Sequence, residues 1–352
     1  MSNLFLTLLV GLAFGYVFMK LKVPGGMMVG AILGVAALNI SFGISYMPSY
    51  AKYAAQILAG AFIGCSIEKS DIERLRNLVK PSFVLLLGML TLNITLGFLI
   101  YLVSPLDLLT SLMSCIPGGM SDIPIISADM GADAPKVALL QFTRMVAGIG
   151  LFPTLITIIG HRNGLKNNTD EQDKHVSPLR PAKSNNPTAI VFIQTITVAA
   201  AGGIIGKLLK IPAGILLFSM IGVICLKLLF NKAYMPFWAK RLAQALSGSY
   251  IGCSIGFKDV LEMRYLILPA ILVVLGYFAA CCILGKILSK HFGMSLKEAM
   301  LVATPAGASD MALISSDLGV QSTDLMVLQI IRMIVVVSLF PQIIYFIVTF
   351  IA

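Results

Sequence analysis

The chain has 352 residues, of which 58% are hydrophobic and only 12% are charged, and its mean hydropathy is +0.92. A soluble domain carries about 25% charged residues, so this composition excludes a water-soluble protein and predicts an all-α integral membrane protein. The net charge of +10 lies between apolar segments, which favours a role in membrane topology over nucleic-acid binding.

An internal repeat, free of gaps at an offset of 188 residues, organises the whole chain. The run Gly64–Ile67, for example, returns unchanged as Gly252–Ile255. We therefore predict a first transmembrane repeat over residues 1–160, a polar cytoplasmic linker over 161–187, and a second transmembrane repeat over 188–352.

Each repeat predicts the same series of helices. Five apolar segments of the first repeat approach the length of about 20 residues that a bilayer crossing needs. They run at about 3–19, 25–46, 53–67, 82–103 and 136–160. A short pair, at about 107–116 and 121–130, is either one broken crossing helix or a hairpin that enters and leaves at the same face. Both repeats together predict about ten transmembrane helices plus two broken or re-entrant hairpins.

The distribution of Lys and Arg favours an odd number of crossings in each repeat. With five crossings and an external N-terminus, the inside loops hold 18 of these residues and the outside loops hold 6. With six crossings the inside holds at most 11 and the outside holds 13. Because cytoplasmic loops carry the excess of positive charge, the two repeats are predicted to be inverted, with both termini outside. The start Met1–Asn3 lacks a positive region, which predicts an uncleaved first helix.

Two helix breaks, each followed by Ser-Asp, mark the candidate binding site. The residues are Pro117, Gly118, Gly119, Ser121 and Asp122 in the first repeat, and Pro305, Gly307, Ser309 and Asp310 in the second. Interrupted backbone inside a membrane is tolerated only beside protein or a water-filled cavity. Each serine is expected to cap the following half-helix, with the aspartate in its first turn. An ionised Asp costs about 3 kcal/mol at this depth, which favours ion or solute binding over a helix-dipole role alone.

A second set of polar side chains lies in the helix that follows each break. It consists of Gln141, Arg144, Gln329 and Arg332, with Asp129 and Asp317 as secondary candidates. Each Gln and Arg are three residues apart and therefore share one helix face. The planar guanidinium can bind a carboxylate solute or lock the hairpin by pairing with its aspartate. The secondary aspartates precede glycines, which leaves a site role and a helix-end role open.

The motifs Pro-Gly-Gly-Met-Ser-Asp and Pro-Ala-Gly-Ala-Ser-Asp, each followed by Gln-x-x-Arg-Met, resemble the AbrB-duplication family of bacterial inner-membrane proteins. The resemblance covers essentially the whole chain. It implies a multi-pass protein of the inner membrane, and either regulation of gene expression or ammonia oxidation, the two activities attributed to members. More remotely, the design is similar to the cation–proton antiporter and anion transporter superfamily.

The residues favour a secondary transporter or exchanger of a small polar or anionic solute, coupled to H⁺ or Na⁺, over an enzyme. Inverted repeats with broken helices are typical of such transporters, and the chain has no Walker-type phosphate loop. The alternative is a membrane-embedded regulator that acts indirectly, since no DNA-binding element is visible. Ammonia oxidation is disfavoured, because the only histidines, His161, His175 and His291, lie in predicted loops. We predict no metal, no cofactor and no catalytic residue; the oligomeric state stays open.

The inverted topology predicts that Lys136 and Asp324, which occupy equivalent positions in the two repeats, face opposite sides of the membrane. In intact cells, a membrane-impermeant maleimide should label Lys136→Cys, whereas Asp324→Cys should react only after lysis. The unsubstituted chain gives the background from its six cysteines, which all lie in apolar stretches. Labelling of both variants from the same side would contradict the inversion.

Overall fold

The computed structural model describes residues 2–162, 189–305, 315 and 322–351, and in these ranges all regular secondary structure is helical. The helices are α1 Ser2–Lys20, α2 Gly26–Phe42, α3 Ser49–Cys65, α4 Lys69–Val103, α5 Leu108–Ser114, α6 Ile123–Met130, α7 Ala134–Val146, α8 Phe152–Arg162, α9 Ala189–Leu208, α10 Gly214–Phe230, α11 Phe237–Cys253, α12 Phe257–Glu262, α13 Ile267–Phe292, α14 Leu296–Ala303 and α15 Thr323–Ile351. A π-helical turn joins α7 to α8, and a 3₁₀ turn joins α12 to α13.

The predicted all-α membrane fold is confirmed. Six helical stretches, formed by α1, α4, α7–α8, α9, α12–α13 and α15, are long and apolar enough to cross a membrane. The shorter helices α2 and α10 are apolar over 17 residues each. With α3 and α11, also 17 residues long, every predicted crossing of both repeats is a helix.

One group of helices, named here the panel bundle, consists of α1–α3 and α9–α11. Within it α2 packs against α11, and α3 packs against α10. Both contacts depend on a glycine that brings two backbones together. Gly60 faces the carbonyl of Leu216, and its repeat equivalent Gly248 faces the carbonyl of Met28. The two contacts are therefore equivalent: in each, a glycine of one repeat faces a backbone carbonyl of the other repeat.

The equivalent helices α3 and α11 run in opposite directions. Lys52, near the start of α3, places its Nζ 5.7 Å from the ring centroid of Tyr250, near the end of α11. Lys240, near the start of α11, lies 4.8 Å from the ring of Phe62, near the end of α3. The repeat offset relates Lys52 to Lys240 and Phe62 to Tyr250, so each contact is the repeat equivalent of the other. Reciprocal contacts of this kind indicate two inverted units.

The remaining helices, α4–α8 and α12–α15, form a second group, named here the hairpin bundle. Its equivalent long helices α4 and α13 also cross in opposite directions, since Gly88 faces Leu284 and Gly276 faces Leu96. The two repeats therefore do not fold as two separate bundles. Each bundle takes helices from both repeats.

Two ion pairs of the hairpin bundle repeat with their charges exchanged. Lys136 Nζ lies 2.8 Å from a carboxylate oxygen of Glu262, whereas at the equivalent positions Asp324 lies 3.5 Å from Arg74. The two equivalent positions thus attract each other in both cases, although the basic and the acidic residue have changed places.

The glycine contacts of the panel bundle give a stability prediction. A Cβ at Gly60 or Gly248 would lie 2.6 Å from a backbone carbonyl oxygen of the facing helix. We expect Gly60→Ala and Gly248→Ala each to lower the stability by about 1–3 kcal/mol, the usual cost of overpacking. Thermal unfolding of the detergent-solubilised protein measures this loss. Gly150→Ala is the matched control, because a Cβ there meets open space; equal melting temperatures for all variants would contradict the packing.

Candidate functional site

The short helices α5 and α6 of the first repeat form a re-entrant hairpin. The backbone N–H of Asp133, just after α6, donates to the Thr110 hydroxyl near the start of α5 at 2.9 Å. The entrance and the exit of the pair therefore lie at the same end, which settles the alternative left open by the sequence. The break itself lies at the opposite tip, inside the hairpin bundle.

Gln141 and Arg144 of α7 bind the broken end of α5. Gln141 Nε2 donates to the last carbonyls of α5, the closest being that of Ile116 at 3.0 Å. The Arg144 guanidinium donates to the carbonyls of Ile116 and Gly118, the latter at 2.6 Å. These bonds satisfy carbonyls that have no intrahelical partner, and the positive charge complements the helix C-terminus.

The second repeat contains the same arrangement. Gln329 Nε2 donates to the carbonyl of Leu301 at 3.0 Å, and Arg332 donates to the carbonyls of Thr304 at 2.6 Å and Val302 at 3.2 Å. The predicted lock between hairpin and helix therefore exists, and in the first repeat Arg144 makes it with backbone carbonyls. The carbonyls bound by Gln329 and Arg332 belong to the stretch directly before Pro305, where the second break begins.

The expected capping of α6 is wrong. Ser121 is not the cap, and Asp122 is not in the first turn: α6 begins at Ile123, and Asp122 occupies the N-cap position without a side-chain capping bond. The reason is Pro124, which has no backbone N–H and removes a donor that a serine cap would use. The Asp122 carboxylate, only 8% exposed, is therefore free of a purely structural capping role.

Ser121 instead connects the hairpin to the panel bundle. Its hydroxyl accepts a hydrogen bond from Gln244 Nε2 of α11 at 3.4 Å. Gln56, the repeat equivalent of Gln244 on α3, is 0% exposed, and neither atom of its amide has a partner in the described part of the chain. Both helices contact α6. The sequence signal that marks these two glutamines is their recurrence at the repeat offset.

Asp129 lies at the outer end of the same hairpin. Its carboxylate is 2.9 Å from Lys52 Nζ of the panel bundle, and the Lys52 side chain is only 9% exposed. Lys52 also lies 5.5 Å from the ring centroid of Tyr53. This ion pair, like the Ser121–Gln244 contact, joins the hairpin to the panel bundle, so α6 is held at both of its ends.

The first break thus brings the predicted Ser121 and Asp122 to the bundle interface, while Gln141 and Arg144 secure the hairpin from its other side. The predicted site residues Gly307, Ser309, Asp310 and Asp317 lie outside the described residues. Among the residues that are described, no group of three or more His, Cys, Asp or Glu side chains is placed to hold a metal ion.

A model of the family described as "Transition state regulatory protein AbrB" matches residues 1–160 and, again, residues 77–348. The chain belongs to the AbrB family. The two overlapping matches agree with the internal duplication and confirm the resemblance of the paired motifs.

Two similar proteins match most of this chain. "Uncharacterized protein YhjN" of Bacillus subtilis (strain 168) is 28% identical over 299 residues, which cover 81% of this chain and 76% of that protein. "Putative regulator AbrB" of Escherichia coli (strain K12) is 24% identical over 336 residues, which cover 95% of this chain and 93% of that protein.

The bonds of Arg144 predict a structural contribution in this AbrB-family protein. Arg144→Met removes two charge-assisted hydrogen bonds and leaves buried carbonyls unsatisfied, so we expect a stability loss on the order of 3 kcal/mol or more. The melting temperature of the purified protein measures it, with Arg76→Met at an exposed position as the control. An unchanged melting temperature for Arg144→Met would contradict this structural contribution.

Proposed function

We propose that this AbrB-family protein is a secondary transporter or exchanger of a small polar or anionic solute, driven by a gradient of H⁺ or Na⁺. The single observation that carries the proposal is the position of Asp122. This buried carboxylate lies at a helix break, makes no capping bond, and sits beside a polar contact between two bundles. A group this costly inside a membrane is typical of an ion or proton pathway.

The arrangement of the bundles supports alternating access. Inverted repeats produce two related conformations when one bundle rocks against the other around a central site. Here the hairpin tip belongs to the hairpin bundle, whereas Gln244 belongs to the panel bundle. The long 3.4 Å bond between Gln244 and Ser121 is weak enough to break and re-form during such a motion.

The same residues account for ion coupling. A carboxylate, a hydroxyl and an amide oxygen are hard oxygen ligands, the kind that suits alkali and alkaline-earth cations. Asp122 alone can carry a proton. Asp310, which repeats Asp122 in the sequence, is proposed as the second coupling group. In this proposal the protein lies in the bacterial inner membrane with both termini outside and the linker 161–187 in the cytoplasm, and no covalent chemistry is involved.

Substitution of the central carboxylate tests the coupling. In proteoliposomes, we expect Asp122→Asn to reduce ion-driven solute accumulation to the level of empty liposomes, because the amide can neither release a proton nor balance a bound cation. Solutes from a bacterial extract are supplied as a mixture, and accumulated species are identified by mass spectrometry under an imposed H⁺ or Na⁺ gradient.

The control for this experiment is Asp324→Asn, which removes the same charge from a half-exposed pair with Arg74. Exposed pairs contribute about 0–1 kcal/mol, so this variant should retain folding and flux. If the unsubstituted protein shows no flux under either gradient, or if Asp122→Asn transports normally, coupling through Asp122 is excluded.

A second candidate is a membrane-embedded sensor that influences gene expression indirectly. The name of the Escherichia coli relative, "Putative regulator AbrB", is the observation in its favour. A sensor binds a solute without moving it across the membrane. The reconstitution assay therefore separates the two functions, because only a transporter gives flux.

A further inference from the structure

A cavity of about 280 Å³ lies between the two bundles, at the outer end of the first hairpin. The panel bundle contributes α3, the end of α9 and the turn into α10, and the hairpin bundle contributes α6 and α15. The polar lining residues are Tyr53, Asp129, Lys207, Lys210 and Tyr345. Small-molecule sites occur preferentially at such interfaces and run from roughly 300 Å³ upward for drug-sized ligands. This cavity therefore suits a small metabolite.

The cavity carries an excess of positive charge. Lys207 and Lys210 both line it, and neither forms an ion pair with a described residue. The carboxylate that lines it, Asp129, is already paired with Lys52 at 2.9 Å. Lys207 and Lys210 are exposed residues, so two ammonium groups without a compensating charge lie at a partly open cavity, which attracts an anion.

The remaining lining favours an organic anion with a short carbon skeleton. Lys207 Nζ lies 4.2 Å from the ring centroid of Tyr53, so the ring orients this ammonium at the cavity. Apolar side chains, among them Met130 and Ile215, line the rest of the space. Charged donors together with apolar walls match a carboxylate or phosphate on a small hydrocarbon body.

We propose that this cavity binds a small oxyanion, a carboxylate or a phosphate, through Lys207 and Lys210. The inference rests on the proposed transport function and assigns to it the chemical class of the solute. Asp129 and Asp122 lie on the same helix, separated by about 10 Å at 1.5 Å per residue. The cavity thus lies about one length of α6 away from the buried carboxylate of Asp122.

The direction of capture follows from the predicted topology. Tyr53, Asp129 and Lys207 all belong to segment ends that the distribution of positive charge assigns to the outside. An anion in this cavity is therefore taken up from the external solution. The phosphate of a lipid headgroup offers the same chemistry at a membrane surface, and the experiment separates these two sources.

The experiment measures thermal stabilisation of the full-length protein in phosphatidylcholine nanodiscs. Sodium acetate, disodium succinate and sodium phosphate are titrated against sodium chloride at equal ionic strength, and a separate arm replaces part of the lipid with phosphatidylglycerol. The variant is Lys207→Gln with Lys210→Gln. The control is Lys258→Gln, an exposed lysine of the same predicted face that lies outside the cavity lining.

We expect at least one dissolved anion to stabilise the protein, with an affinity that falls about tenfold for each lysine removed, as loss of a charge-assisted bond implies. The Lys258→Gln protein should bind like the unsubstituted one. Stabilisation only by phosphatidylglycerol, lost in the double variant, would assign the site to lipid headgroups as the source of the oxyanion. Absence of stabilisation by every anion and lipid, or an equal effect on all three proteins, would overturn the proposal.

The same variants in proteoliposomes separate this inference from the proposed function. Anion binding that depends on the two lysines, without any flux, would refute transport and leave the oxyanion site in place. Flux that is unaffected by Lys207→Gln with Lys210→Gln, together with no anion binding, would refute the oxyanion site and leave transport in place.

Discussion

The need to satisfy backbone carbonyls at a helix break inside a membrane governs this structure. Where α5 ends at the hairpin tip, its last carbonyls have neither an intrahelical partner nor bulk water. Gln141 and Arg144 supply the missing donors from α7, and Gln329 and Arg332 do the same for α14. Because Gln141 and Arg144 bind these carbonyls, the other half of the first hairpin is free to present its polar groups to the facing bundle.

The exchange of helices between the repeats gives the hairpin its surroundings. Since each bundle takes elements from both repeats, the tip of the first hairpin faces α11, which belongs to the second repeat. The Ser121–Gln244 bond and the Asp129–Lys52 pair then join the two bundles at opposite ends of α6. A transporter needs such contacts to be few and polar, so that they can break while each bundle stays packed.

The sequence locates the first helix break and the polar side chains around it, and the contacts that it does not give have specific causes. Asp122 was identified because a carboxylate at a break is costly in a membrane. The role assigned to Ser121 was wrong, since Pro124 withholds the N–H that a serine cap needs. For Arg144 the sequence left a carboxylate solute and a hairpin aspartate open as partners, and the structure adds a bond to a backbone carbonyl. A guanidinium can donate to a carboxylate or to a carbonyl, and only the packing of α7 against α5 selects the carbonyl.

From hydropathy, positive charge and the 188-residue repeat, the sequence by itself predicts the number of crossings, the inversion of the halves and the positions of the breaks. These properties are local along the chain or depend on comparing one stretch with another. Tertiary structure decided the rest: the re-entrant path of the hairpin, the division into two mixed bundles, and the cavity that gathers Tyr53, Asp129 and Lys207. The three cavity residues are more than seventy positions apart in the sequence, and no periodicity encodes which distant helix faces meet.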